Sequence, residues 1–156
     1  MRNGYNQFFA SPLGTVEIRA SAEGINGVRF CDAPREASPN QHTCEGAKQL
    51  QAYFAKELTE FSLPLCPHGT PFQQQVWQAL GAVGYGDTAS YADIARSINN
   101  AKAVRAVGMA NGRNPIAIII PCHRIIGSNG TLTGYAGGLE RKAFLLALEQ
   151  QERVCQ

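Results

Sequence analysis

The sequence predicts an α+β domain over residues 1–68 followed by a mostly α-helical domain carrying a helix-turn-helix over residues 69–156. Three observations predict this. Apolar and polar residues alternate, between turn formers, in the first thirty positions. After residue 70 the apolar residues recur at helical spacing instead. Between the two patterns lies "CPHGTP", residues 66–71, a linker rich in turn formers.

The elements follow in order. "NQFFA" reads as a strand and "SPLG" as a turn, and "TVEIRA" places Val16, Ile18 and Ala20 on one face of a second strand. "INGVRF" predicts a third strand, and "CDAPREASPNQ" an exposed loop. From His42 to Leu58 the stripe of Ala47, Leu50, Phe54 and Leu58 predicts a helix, and "FSLPL" a short strand after it. Beyond the linker, Thr70 caps a helix with Pro71 at its first position and Phe72, Val76, Ala79, Leu80 and Val83 inward. Ser90 and Asp93 form a capping signature for a helix through Ile98. Asn99–Asn100 make a polar turn before another helix over about 101–110, the outline of a helix-turn-helix. "NGRNP" breaks that helix, "GSNGTLTGYAGG" is a glycine-rich loop, and a last helix runs from about Leu139 to Gln150.

Composition narrows the class of protein. A chain of 156 residues that is 44% hydrophobic and 17% charged is globular rather than disordered. The apolar run at Ala117–Ile120 is far too short to cross a bilayer, and the N-terminus lacks the apolar core of a signal peptide, so a cytoplasmic protein is expected. Five cysteines without framework spacing argue against a disulfide scaffold. Residues 1–69 hold six Lys/Arg against seven Asp/Glu, and residues 70–156 hold eight against five. The second half is therefore the candidate for meeting a polyanion.

One stretch asks for a chemical explanation. "IPCHRI", residues 120–125, sets Cys122 beside His123 at the end of the most apolar segment. Adjacent Cys and His do not have the two-to-four-residue spacing of structural zinc motifs, and no paired CxxC supports a metal. A nucleophilic thiol needs a neighbouring imidazole, and the imidazole needs a third group to orient it. Glu149 shares a helix face with Leu145 and Leu146 and is a candidate. A carboxylate near a helix C-terminus is nonetheless unfavourable, so local rules read it as part of a solvated last turn. Tyr91, Lys102, Arg105, Asn114 and Tyr135 taken singly also read as packing, solvated or turn residues. At this level Cys122 remains nucleophile, ligand or core thiol.

The whole C-terminal stretch "NPIAIIIPCHRIIGSNGTLTGYAGGLERKAFLLALE" resembles the methylated-DNA–protein-cysteine methyltransferases, the O6-alkylguanine-DNA alkyltransferases. NP, IPCHR, GYAGG and LLALE in that order carry the resemblance. It is close from about Thr70 to Glu149 and holds in outline for the N-terminal domain. It implies a ribonuclease-H-like N-terminal domain and a winged-helix, helix-turn-helix C-terminal domain. It also implies a single-turnover reaction in which the alkyl group of O6-alkylguanine in duplex DNA moves to the protein's own cysteine, with O4-alkylthymine a further candidate substrate. The expected protein is a monomer bound to the minor groove, without cofactor, metal or membrane.

The resemblance also implies residue roles. Cys122 would be the acceptor, His123 its base, commonly through a water, and Glu149 the group that orients His123. Tyr91 would give a proton to guanine N3. Asn114 would join the helix-turn-helix to the active site, and Arg105 would fill the space of the extruded nucleotide. Lys102 would contact phosphate, and Arg124 is expected among the substrate- and DNA-contacting residues. Tyr135 would line the pocket, the backbone at Ala136 would donate to O6, and the Cys122 and Ile125 carbonyls would read the guanine amino group. The chain departs from some relatives at Ala136, where they have serine, and at Ala117, where they have proline. Cys31, His42, Cys44, Cys66 and His68 do not reproduce the zinc spacing of certain eukaryotic relatives. The alternatives are a non-catalytic alkylguanine-binding relative, which would have lost Cys122, a cysteine hydrolase, which would turn over, and a transcription factor using the helix-turn-helix alone.

Overall fold

The computed structural model describes residues 4–32 and 35–154. They divide into two units, residues 1–68 and 69–156. In the first, β1 (Tyr5–Ser11), β2 (Gly14–Ala20) and β3 (Ile25–Cys31) form an antiparallel sheet in that order. Val16, Ile18 and Ala20 are buried, as their alternation predicts, and α1 (Gln41–Phe54) covers that face with Ala47, Leu50 and Tyr53. The helix comes close because Gly46 faces the sheet, where a Cβ would lie 2.7 Å from Ile25 Cδ1. Asn40, not anticipated as a cap, starts α1 through a capping box with Thr43. The helix ends at Phe54, short of Leu58, and Lys56 turns the chain at φ 63°. "FSLPL" is not a strand: only Leu65 bridges, in parallel, to Ile25.

The second unit opens with α2 (Pro71–Leu80), held by the Thr70–Gln73 capping box. β4 (Ala89–Ser90) leads directly into α3 (Tyr91–Ser97), where Ser90 and Asp93 cap one another. Asn99 (φ 60°) makes the turn into α4 (Val104–Gly112). That helix is displaced from the expected 101–110. The Ala103 amide bonds to the Asn100 carbonyl and delays its start, and "NG" closes the helix instead of breaking it. Trp77 on α2 donates Nε1–H to the Ala110 carbonyl at 2.8 Å and seats α2 against α4. After α4 the apolar residues Ile116, Ile118 and Ile120 are buried, at an isolated bridge, a turn and a bend respectively. A 3-10 turn (Cys122–Arg124) follows, then β5 (Ile125–Ile126), which pairs in parallel with β4. The last helix is α5 (Leu139–Val154). No helix among the described residues is long and apolar enough to cross a membrane.

Candidate active site

The reactive-looking turn is held from behind. Asn114 Nδ2 donates to the carbonyls of Ile116 (3.3 Å) and Ile120 (2.8 Å), and Asn114 Oδ1 accepts from the Ile116 amide (3.0 Å). One amide side chain thereby closes the segment that precedes the cysteine. Within that segment Ile118 sits at φ 72°, a left-handed conformation that a β-branched residue adopts only when its surroundings impose it. The strain is held next to the site.

Cys122, His123 and Arg124 are all buried. Burial pushes the Cys122 thiol up from its ordinary value, partly countered by Asn114 and by the charge of Lys142, so the resting group is a thiol. His123 Nε2 lies 2.7 Å from Glu149 Oε2, and neither side chain is accessible to solvent. Burial lowers the His123 pKa against the pull of Glu149 and favours a neutral ring. Burial alone would raise the Glu149 pKa, but the hydrogen bonds and charges of His123 and Arg124 hold it at about 2. The carboxylate therefore accepts Nε2–H, and the Nδ1 lone pair is left as the basic atom. That Nδ1 is buried and has no hydrogen-bond partner among the described residues.

The local reading of Glu149 as solvated is corrected here. The helix continues to Val154, so Glu149 is not in its last turn, and its carboxylate is enclosed. Arg124 stands against the same carboxylate. Its Nε and Nη2 donate to Glu149 at 2.9 and 3.1 Å and its Nη1 to the Val83 carbonyl at 2.7 Å. Its guanidinium lies 5.8 Å from the centre of the Tyr85 ring. A side chain buried with these donors engaged supports the carboxylate.

Sequence reasoning missed Lys142. It has no exposed surface, and its Nζ donates to the carbonyls of Ile125 (2.5 Å) and Thr133 (2.9 Å). The signal was present: Lys142 stands three residues before Leu145 and seven before Glu149, on the buried face of α5. Thr133 was also missed; its Oγ1 lies 2.6 Å from the Tyr91 hydroxyl. Tyr91 itself opens α3, and its ring lies against the backbone of α4 at Gly108, where a Cβ would meet it at 3.8 Å. The Tyr135 hydroxyl is buried without a hydrogen-bond partner among the described residues. Ala136 lies in the turn that follows, and the Ile125 carbonyl already accepts from Lys142. Lys102 and Arg105 are exposed, the first in the turn before α4 and the second on the helix itself. No group of three or more His, Cys, Asp or Glu among the described residues is arranged to hold a metal ion.

Comparison with known proteins accounts for this arrangement. Residues 5–67 match the 6-O-methylguanine DNA methyltransferase, ribonuclease-like domain, and residues 71–151 the 6-O-methylguanine DNA methyltransferase, DNA binding domain. The chain is 48% identical over 152 residues to the methylated-DNA–protein-cysteine methyltransferase of Methanosarcina acetivorans, covering 93% of this chain and 97% of that one. It superposes on the Mycobacterium tuberculosis O6-methylguanine methyltransferase with a TM-score of 0.87 at 44% identity, over 96% and 94% of the two chains. It superposes on the Mycobacterium tuberculosis OGT in complex with DNA with a TM-score of 0.86 at 45% identity, over 94% and 93%. With a ribonuclease-like first domain, a helical DNA-binding second domain and a buried Cys-His-Glu set, the chain belongs to the 6-O-methylguanine DNA methyltransferase family, whose activity is alkyl transfer to the protein's own cysteine.

Proposed function

We propose that this chain repairs O6-alkylguanine in double-stranded DNA by accepting the alkyl group on Cys122, each molecule acting once. The observation that carries the reading is the enclosed pair in which Glu149 holds His123 Nε2 at 2.7 Å and leaves Nδ1 without a hydrogen-bond partner among the described residues, one position along the chain from the buried Cys122. His123 Nδ1 takes the thiol proton through a water, and the neighbouring carboxylate stabilises the imidazolium that forms. The thiolate attacks the alkyl carbon, the C–S bond forms as the C–O6 bond breaks, and the electron pair leaves on the purine. Tyr91 gives its proton to guanine N3, so that a neutral base departs. The proton taken from Cys122 returns to Tyr91 through solvent. One proton has then moved from thiol to guanine, and the product is a thioether that no group on this chain reverses.

A sulfur cannot approach O6 in line within a stacked duplex, so the nucleotide must be extruded, at a cost of about a few kcal/mol. Arg105, exposed on the second helix of the helix-turn-helix, suits the vacated space, because its planar head can stack and hydrogen-bond there. Lys102, just before that helix, suits a phosphate. We place both in the minor groove of DNA bound by a monomer, with a winged-helix second domain and a ribonuclease-H-like first domain. Asn114 joins the end of α4 to the reactive turn. The Cys122 and Ile125 carbonyls read the guanine amino group, the latter with the lone pair that Lys142 leaves open. The backbone at Ala136 donates to O6, and Tyr135 lines the pocket.

Intact-protein mass spectrometry after mixing with duplex DNA carrying O6-methylguanine tests the reading. The protein should gain one methylene, confined to the peptide containing Cys122. Cys122→Ala should bind DNA and gain nothing. A limiting amount of protein that clears excess lesion repeatedly, with Cys122 left as a free thiol, would defeat the proposal in favour of a turnover enzyme.

A further inference from the structure

The hydrogen bond between Tyr91 and Thr133 joins the first residue of α3 to the glycine-rich loop, 42 positions along the chain. Thr133 is itself pinned. Its carbonyl accepts from Lys142 Nζ at 2.9 Å, and the same buried ammonium holds the carbonyl of Ile125, next to the reactive turn. One cation thus fixes two backbone segments at once, and the Thr133 hydroxyl is presented to Tyr91 by that fixture.

Two hydroxyls share this hydrogen bond and either atom can be the donor. The direction matters. If Tyr91 donates, its only proton is engaged with Thr133 and turned away from a base. If Thr133 donates, the Tyr91 proton is released and the phenol oxygen gains a partner for negative charge. We infer that Thr133 is a positioning residue for alkyl transfer: with guanine bound, its hydroxyl donates to the Tyr91 oxygen and aims the Tyr91 proton at the leaving base. The inference rests on the reading of Tyr91 as proton donor given above. During the step the Tyr91 O–H bond breaks, the N3–H bond forms and the electron pair stays on the phenol oxygen. The donated Thr133 hydrogen bond stabilises that oxygen until a proton returns from solvent. Lys142 acts one position further back, by holding Thr133.

Single-turnover transfer from O6-methylguanine duplex to the full chain tests this, using Thr133→Val, Thr133→Ser, Tyr91→Phe and the Thr133→Val/Tyr91→Phe double variant. Valine keeps the branched shape and removes only the hydroxyl, and loss of one donor to a developing charge should slow transfer roughly 10- to 100-fold. Thr133→Ser should restore a rate near wild type, which a purely packing role would not require. Adding Thr133→Val to Tyr91→Phe should cost nothing further, since both act through one atom. Transfer slowed by Tyr91→Phe but not by Thr133→Val, or losses that multiply in the double variant, would overturn the inference alone. Transfer unaffected by Tyr91→Phe would overturn the proton-donor reading and this inference with it.

Discussion

Each unit buries a glutamate against arginine, and the two sites differ in what surrounds the pair. Glu17, on β2, accepts from Asn6 at 3.0 Å and Arg29 at 2.8 Å, with Arg19 at 3.8 Å. Both arginine side chains are about half exposed, at 51% and 54%. Glu149 has Arg124 and His123 instead, both enclosed. Burial would raise either carboxylate, yet in both the hydrogen bonds and charges prevail and the pKa falls. The ion pair is therefore not what makes a site. At Glu17 both arginines reach water and Asn6 passes on to the Ser38 amide, so the arrangement ends in satisfied groups on the sheet. At Glu149 one partner is an imidazole whose second nitrogen is buried and has no hydrogen-bond partner among the described residues. That open nitrogen is the feature on which the proposed relay depends.

The largest break of the comparison is Glu149→Gln. Removing one member of an enclosed pair strands the Arg124 charge and should cost about 3–5 kcal/mol of stability, read by urea denaturation. Transfer, measured at a temperature where the variant is folded, should slow by roughly 10²–10⁴-fold as His123 loses the negative charge that stabilises its imidazolium. Unchanged kinetics would reduce Glu149 to a structural anchor of the same kind as Glu17.

Acid titration gives an intermediate effect and sharpens the contrast. His123 is held neutral below its ordinary 6.5, so its contribution is complete above that pH and is lost as the unfolded chain takes up protons below it. Glu149 stays ionised down to about 2 against an ordinary 4.5, so its contribution is complete above 4.5 and is lost between those values. Urea midpoints should therefore fall from roughly pH 6.5 downward, and fall less steeply below 4.5 in Glu149→Gln. A midpoint level between neutrality and pH 4.5 would contradict a neutral buried His123.

The smallest effect belongs to Glu17→Gln. The exposed arginines turn to water and Asn6 keeps a partner, so the loss should be on the order of 1 kcal/mol. The rate of transfer per folded molecule should not change. A large loss of transfer here would mean that the first unit takes part in the chemistry.

Local signals in the sequence reached some of this structure and not the rest. The cap at Thr70 and the Ser90–Asp93 pair were legible because caps act within one turn, although Gln73 as the reciprocal partner of Thr70 was not read. The strand alternation of Val16, Ile18 and Ala20 was legible for the same reason. The start of α4 was not, because it is set by a backbone bond from Ala103 to Asn100 with no side-chain cap. β4 and β5 are two residues each and exist only by pairing with one another across 36 positions. Glu149 shows the limit most clearly. The dipole rule argued for solvent, while its partners His123 and Arg124, 26 and 25 residues earlier, enclose it. Motif resemblance pointed to Glu149 where periodicity could not. That Arg124 spends its donors on Glu149 and Val83 was not legible, because order along the chain does not reveal where a guanidinium turns.

The 3-10 turn at Cys122–Arg124 has a consequence for how this chain can vary. Such a turn advances three residues per revolution, so consecutive side chains leave its axis about a third of a revolution apart. Thiol, imidazole and guanidinium therefore leave the backbone in different directions, the last two meeting again at the Glu149 carboxylate, and none of the three can be moved without turning the others. An insertion or deletion of one residue between Ile120 and Ile125 would swing the imidazole away from Glu149. At the exposed tip Ser128–Gly130 the backbone has far more latitude for added length. Length variation among functional descendants of this chain should accumulate at that tip and be absent from the turn.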